Sequence, residues 1–309
     1  MQIPEQSPTT HLISPEMVRS RMEHLDKIPT MPALLFPLIR QLEAPVEQVS
    51  VQKIVDLISH DESLAAQCLH MANSPLFGRW RDIDTIRGAI VALGITRVRD
   101  IAMSCCLMRM VPTHSSVLDP CTLWEHSLGV ALVSRRIARR VGFRDPEKAY
   151  LAGLLHDVGI VANILLLPDS FDAVAKHALG KGLAFEQAER EIMGLTHCYT
   201  GGLLAEKWRL GSDLCEVIER HHDPARASLY RGLVAIVNLA DLICRITGVG
   251  YGCLERERPD CQKNIGWEIL SHECRSITNF ETARLVSEME LYAGEVKRLV
   301  AVLFRATSN

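Results

Sequence analysis

Apolar residues recur every three to four positions along most of the chain, the period of helices with one buried face. Leu34, Leu35, Leu38, Ile39 and Leu42 follow it, as do Ile54, Leu57, Ile58, Leu64, Cys68, Leu69 and Met71. Ser14-Pro15-Glu16 sets a capping residue before a proline at the first helical position, with Met17, Met22 and Leu25 spaced loosely as a helix. Asn73-Ser74-Pro75 ends the helix that carries Leu69, because a residue before proline is biased away from the α region. Thr85 to Leu93, closed by Gly94, and Thr96 to Met110, closed by Pro112, complete a first helical group. Val111 to Pro120, with two prolines and two serines between periodic segments, predicts a hinge.

Beyond the hinge, helical patterns cover about 121–141, 146–165, 183–193, 196–208, 212–222 and 229–246. Residues 247–278 have no clear period, and Phe280 to Phe304 reads as one long amphipathic helix. No segment longer than four residues alternates cleanly between apolar and polar, so the expected fold class is all-α with two helical lobes. The boundaries that follow are a tail and the start of the first helix at 1–20, an N-terminal helical lobe at 21–111, a second helical lobe at 112–246 and a C-terminal helical extension at 247–309.

Composition narrows the function. With 48% hydrophobic and 23% charged residues over 309 positions, the chain has a globular composition, which argues against disorder and coiled coil. A net charge of −3 gives no global positive field for phosphate backbones, so nucleic acid is not an expected partner. Leu151 to Leu167 and Leu229 to Ile246 are interrupted by His156, Asp157, Arg231, Asn238 and Asp241, so no membrane span is expected. Met1 to Leu12 lacks the basic start and apolar run of a secretory signal, so a cytoplasmic location is expected. The ten cysteines are scattered and form no CxxC pair, so reduced thiols are expected, with Cys105 and Cys106 packed in the core.

The candidate chemistry lies in the second lobe. His126, His156-Asp157, His197, His221-His222 and Asp241 fall on successive helices that are otherwise built for burial. Leu154-Leu155 and Val158 flank the pair at 156–157, and Leu239-Ala240 and Leu242-Ile243 flank Asp241. A buried carboxylate needs a partner, and a divalent cation shared with imidazoles is one solution. Individually hydrogen-bonded core residues are the other. The remaining histidines, His11, His24, His60, His70, His114, His177 and His272, sit in polar or mixed contexts and read as non-ligands.

The spacing of His126, His156-Asp157 and Asp241 resembles the H…HD…D pattern of the HD superfamily of metal-dependent phosphohydrolases. His197 and His221-His222 resemble the extended pattern of its two-metal members, such as the HD-GYP cyclic dinucleotide phosphodiesterases. Ile28-Pro29-Thr30-Met31-Pro32, His60-Asp61-Glu62-Ser63-Leu64, Ala72-Asn73-Ser74-Pro75-Leu76-Phe77 and Ala89 to Gly94 look like the first half of HDOD domains, the HD-related output domains of bacterial signalling proteins. Gly201-Gly202-Leu203-Leu204 to Trp208, then Ile218 to His222, continue that match, so the resemblance covers roughly 25–245.

The resemblance implies an all-helical domain, a signalling protein partner and a site for one or two divalent transition-metal ions. For this mixed nitrogen and oxygen set, iron or manganese come first, with zinc or nickel as alternatives. It also implies a signal-transduction output module acting through protein contacts, with a metal-dependent phosphohydrolase, and so a phosphate or nucleotide ligand, as the alternative. Three departures argue against hydrolysis of cyclic di-GMP. Ile160 stands where HD-GYP enzymes have the lysine of HDxGK, Asp223-Pro224-Ala225-Arg226-Ala227 replaces the GYP loop, and Thr122 stands where those enzymes place a glutamate. Catalytic residues are therefore left unassigned.

Three further features carry two readings each, and two more carry one. Arg135, Arg136, Arg139 and Arg140 form a solvated helix face first and a phosphate-presenting face second. Arg79, Arg81, Arg87, Arg97 and Arg99 read as solvated surface, or as a dock for an acidic partner. Trp80 is a partner anchor or core packing. Gly201-Gly202 lacks the lysine and strand context of a phosphate loop and is expected to let two helices approach closely, while Pro224 sets the paired histidines at a helix end with access to a cleft.

Overall fold

The computed structural model describes residues 13–24, 37–40, 50–78, 83–110, 118–250, 260–273 and 282–307, and among them there is no strand. The motif at 28–32, Leu34, Leu35, Leu42, His11, His114, Arg79, Trp80, Arg81 and most of the hinge at 111–120 lie outside the described residues.

The first group of helices is α2 (Val51–Ser59), α3 (Glu62–Ala72), α4 (Ile86–Leu93) and α5 (Ile95–Met108), which pack on one another. Their starts are set by side chains that accept otherwise unsatisfied backbone N–H groups: Ser50 caps α2, Asp61 caps α3 and Thr85 caps α4. Asn73, just past α3, donates through Nδ2 to Ile83 O at 2.8 Å and accepts from Ile83 N at 2.9 Å. The Asn73-Ser74-Pro75 motif thereby ties the entry to α4 back onto α3. Cys105 and Cys106 are fully buried in α5, and no disulfide joins the described cysteines.

The second group begins with α6 (Pro120–Arg140) and α7 (Pro146–Leu155), each opened by an aspartate cap followed by proline at the first helical position. It continues through α8 (Val158–Leu166), α9 (Pro168–Lys181), α10 (Phe185–Ile192), α11 (His197–Lys207), α12 (Ser212–Arg220) and α13 (Arg231–Ile246). The single helix expected over 146–165 is two helices. Asp157, at φ −101° and ψ 17°, leaves helical geometry and α8 restarts after it, with Ile160 N bonded to Asp157 O at 2.9 Å. The sequence reading also passes over α9: Pro168, which ends α8, opens the next helix, where its missing N–H has no partner to lose. Nine residues of the segment without a clear period form α14 (Ile265–Glu273), which packs on α13. The stretch Pro146–Leu166 is apolar enough to cross a membrane, and its most apolar window is 94% buried inside the protein.

Two elements cross between the groups. α1 (Pro15–His24) is first in the chain, yet it packs on α8 and α11, where Val18 and Met22 are buried and Arg21 donates to Leu166 O at 2.8 Å. α15 (Thr282–Thr307) buries Leu285, Met289, Val296, Leu299, Val300 and Leu303 against α6, α13 and α3. Its Glu288 takes Arg136 Nε at 2.6 Å and Arg140 Nη2 at 2.8 Å. Partial burial pushes the Glu288 carboxyl up, but the two guanidinium groups pull it further down, below the usual carboxylate range.

α8 and α11 meet through glycine. A Cβ on Gly159 would lie 1.9 Å from the His197 carbonyl oxygen, and one on Gly201 would lie 2.7 Å from Ile218 Cγ2. The expected packing role of Gly201 therefore holds, and Gly159 is its partner across the contact.

Gly159→Ala should lower unfolding stability by about 2–3 kcal/mol because backbone, not a flexible side chain, blocks the added methyl. Gly294→Ala, within α15 with no atom within 4 Å of the added Cβ, should gain up to about 1 kcal/mol; urea unfolding of both variants checks the contrast. A depressed Glu288 pKa contributes stability that is present above its ordinary value of 4.5 and is lost as pH falls through the folded value. Wild type should accordingly lose more stability than Glu288→Gln between pH 6 and pH 3, followed by thermal unfolding across that range.

Candidate metal centre

All seven residues singled out in the sequence converge on one point. His126 comes from the middle of α6, His156 and Asp157 from the break between α7 and α8, and His197 from the first residue of α11. His221 caps the C-terminus of α12, His222 follows it, and Asp241 lies in α13. Asp157 is the hub: its Oδ2 lies 3.1 Å from His156 Nε2 and 3.6 Å from His126 Nε2, and its Oδ1 lies 3.2 Å from His197 Nε2 and 3.3 Å from His221 Nε2. Asp241 reaches His126 Nε2 at 3.1 Å and His222 Nδ1 at 3.8 Å.

The outer face of each ring fixes its orientation. His126 Nδ1 donates to Val249 O at 2.8 Å, His156 Nδ1 to Gly153 O at 2.8 Å, and His221 Nδ1 to Ile218 O at 3.1 Å. His197 Nδ1 donates to the buried Glu189 carboxylate at 2.6 Å, whose Oε2 also accepts from His197 N at 2.9 Å. A carbonyl or carboxylate can only accept, so these four rings carry their proton on Nδ1 and turn Nε2 inward. Such outer partners orient histidine ligands in metal sites.

Those inward atoms are too close to be left as bare lone pairs. His197 Nε2 lies 3.3 Å from His221 Nε2 and 3.1 Å from His222 Nε2, so a proton or a cation must offset the repulsion. His156 Nε2 and Asp241 Oδ2 are buried and make no hydrogen bond. A divalent metal meets both conditions, so the donor set fits one. The donor atoms of His126, His156 and Asp157 lie within 4.8 Å of one another, as do those of His197, Cys198, His221 and His222.

The protein's own charges divide the cluster. Burial opposes ionisation of Asp157 and Asp241, yet His156 and His197 pull the first well below the carboxylate range, and Arg245, 3.2 Å from Asp241, pulls the second down too. Burial lowers the His156 and His222 imidazoles, keeping them neutral, the form that binds metal. His126 and His197 are raised despite burial, the first by Asp241 and Asp157, the second by Glu189, Cys198 and Asp157.

Access is narrower than the sequence implied. His221 is fully buried, and of the pair only His222 reaches a cleft of about 320 Å³, together with Arg19, Arg190 and Arg226. Ile160 is completely buried, so no cation stands at that position. Elsewhere, His60, His70 and His272 are exposed and His177 bonds Glu191 at 2.7 Å, away from the cluster. Sequence reasoning missed Glu189 and Cys198, as well as Asn238, whose Nδ2 holds His221 O at 2.7 Å. A signal for Glu189 existed: it falls four residues after Phe185 on the buried face of α10, a carboxylate among apolar neighbours.

The HDOD domain profile matches residues 28–224. The chain belongs to the HDOD family. This HDOD protein is similar in structure to an HDOD domain protein of unknown function from Geobacter sulfurreducens, at 32% identity and a TM-score of 0.80, covering 93% of this chain and 97% of the other. It shares its fold with a candidate signal-transduction protein of Marinobacter aquaeolei VT8, at 19% identity, a TM-score of 0.73 and coverage of 93% and 65%. It also shares its fold with a candidate phosphohydrolase of Shewanella amazonensis SB2B, at 21% identity, a TM-score of 0.69 and coverage of 93% and 98%. An uncharacterized protein of Treponema pallidum (strain Nichols) is 24% identical over 232 residues, which are 74% of this chain and 44% of that protein. The HDOD chain thus spans less than half the length of this relative.

Glu189→Gln removes the negative charge nearest the His197 imidazole, so the His197 pKa should fall in chelator-treated protein. Histidine ring resonances followed by NMR against pH should show that shift for His197.

Proposed function

We propose that this HDOD protein is an output or regulatory module of bacterial signal transduction that acts through contacts with a signalling protein partner. In this reading it retains a divalent metal centre as part of its fold. The carrying observation is a complete, buried donor set without the parts that handle a phosphoester. His126, His156, Asp157, His197, His221, His222 and Asp241 would hold one or two ions, iron or manganese before zinc or nickel. Yet the position of the HDxGK lysine is the buried Ile160, and no GYP loop follows His222. Phosphoryl chemistry needs positive groups where charge develops as well as a metal.

When bound, such an ion would neutralise the paired carboxylates and supply Lewis acidity at the bottom of the cleft. The protein's part is to fix five segments of chain around it: Asp157 faces four imidazoles, and backbone carbonyls and Glu189 hold the rings. Five converging segments make the centre a clasp for the second helical group, so its state can be felt at the surfaces those helices present. The cleft that ends on His222 favours a second reading, a metal-dependent phosphohydrolase acting on a nucleotide or another phosphate ester. Arg19, Arg190 and Arg226 would face the phosphate there.

Elemental analysis of purified wild type beside Asp157→Ala tests both readings. One or two equivalents of a transition metal per chain are expected in wild type and should be lost in the variant. Metal removal by chelator should lower the melting temperature of wild type, since an ion bound to the folded state stabilises it, with no turnover of bis(p-nitrophenyl) phosphate before or after. Metal-dependent turnover abolished by Asp157→Ala would establish the hydrolase reading instead. A wild-type protein without metal after reconstitution with iron or manganese would overturn both.

A further inference from the structure

A cavity of about 540 Å³ lies away from the histidines, where the turn after α3, the start of α5, the second half of α6 and α15 meet. Five arginines, Arg97, Arg135, Arg136, Arg139 and Arg140, line it against one carboxylate, Glu288. The expected solvated helix face describes Arg136 and Arg139, whose side chains are 44% and 52% exposed, but not Arg135. The Arg135 side chain is 11% exposed, lies over the Tyr150 ring at 4.7 Å and bonds Asp100 Oδ2 at 3.0 Å. Glu147 lies behind, taking Arg139 at 2.7 Å and Arg135 at 3.3 Å. Arg97, from α5, donates to the neutral Phe77 carbonyl at 3.2 Å. Arg135, Arg139 and Arg97 are therefore braced by neighbouring groups, Arg136 and Arg140 are held by Glu288, and all five converge on one concavity from two helices.

Guanidinium groups confined in a cleft repel one another and concentrate anions there. Their planar donor forks match phosphate oxygens two at a time, and bracing of Arg139 by Glu147 reduces the ordering that binding must impose on it. The remaining wall is different in kind. Tyr292, with Arg136 5.9 Å from its ring centroid, stands beside Met289 and Leu285 and offers a flat aromatic face. The volume lies within the range of small-molecule sites, about 300–1,000 Å³. We propose that this cleft binds a nucleoside di- or triphosphate, with the phosphates on Arg97, Arg136, Arg139 and Arg140 and the base against Tyr292.

Glu288 is the built-in competitor, since it occupies Arg136 and Arg140 in the absence of ligand. The site is separate from the metal centre but shares α6 with it: Arg135 follows His126 by nine residues, about 14 Å along the helix axis. A ligand here touches the first helical group, α6 and α15 together, which suits an effector that sets their relative packing. The proposal does not rest on what the metal centre does.

Isothermal titration of the full chain with ATP, GTP and inorganic pyrophosphate, in chelator at about physiological salt, tests it. At least one nucleotide should bind with 1:1 stoichiometry, and affinity should fall as salt rises. Arg136→Gln with Arg139→Gln should weaken it by about tenfold or more. Glu288→Gln should tighten it, and Tyr292→Ala should weaken the nucleotide while leaving pyrophosphate unchanged. Circular dichroism checks folding, and Arg139→Gln alone, at a half-exposed side chain, serves if the double variant is unfolded. Absence of binding by both nucleotides at millimolar concentration would overturn the proposal. So would wild-type affinity in the arginine variants.

Discussion

A carboxylate buried in a helical core is held there by positive charge and hydrogen bonds, or it is not held as a carboxylate at all. Asp157 meets that constraint by breaking its own helix. The break turns both oxygens toward imidazoles, Oδ2 to His126 and His156 and Oδ1 to His197 and His221, so that α6, the α7–α8 junction, α11 and α12 are all tied to one group. Asp241 repeats the arrangement from α13 with His126 and Arg245. The packing of the second helical group and the electrostatics of its centre are thus one problem with one solution.

That solution depends on helices coming unusually close. Gly159 and Gly201 remove the side chains that would separate α8 from α11, and this close approach carries His197 to Asp157. Glu189 then holds His197 by both its ring and its backbone N–H, and Asn163 in turn donates to Glu189 Oε1 at 3.0 Å. Glu189, His197 and Asn163 Nδ2 satisfy one another here, which makes this part of the network rigid and sensitive to single substitutions. Rigidity of this kind suits both the proposed ion site and the proposed regulatory module.

The long helix α6 joins the two polar centres of the molecule. Its first half delivers His126 to the histidine cluster; its second half delivers four arginines to the cleft under α15. α15 itself is fastened by apolar packing and by Glu288, whose two arginine partners on α6 are the ones a phosphate would claim. The C-terminal extension is therefore part of the fold's electrostatics.

The helices themselves were legible in the sequence because helical periodicity is local: Ile54 and Ile58, or Leu299 and Leu303, announce their buried faces within a few turns. The seven candidate ligands were legible for a related reason, since charged and imidazole groups in apolar runs stand out wherever they occur. The break at Asp157, the start of α9 at Pro168 and the role of Glu189 were not, because each depends on what lies across the core. Arg135 looks like any surface arginine in sequence, and only Asp100 and Tyr150, brought alongside from other helices, make it part of a cleft wall. For most of the helices, though not α9 or α14, the sequence by itself determined which segments coil and which faces turn inward. Tertiary structure decided that donors up to 115 positions apart, His126 and Asp241, would meet within 3.1 Å, because that distance is set by how closely helices can approach and not by any property of a single helix.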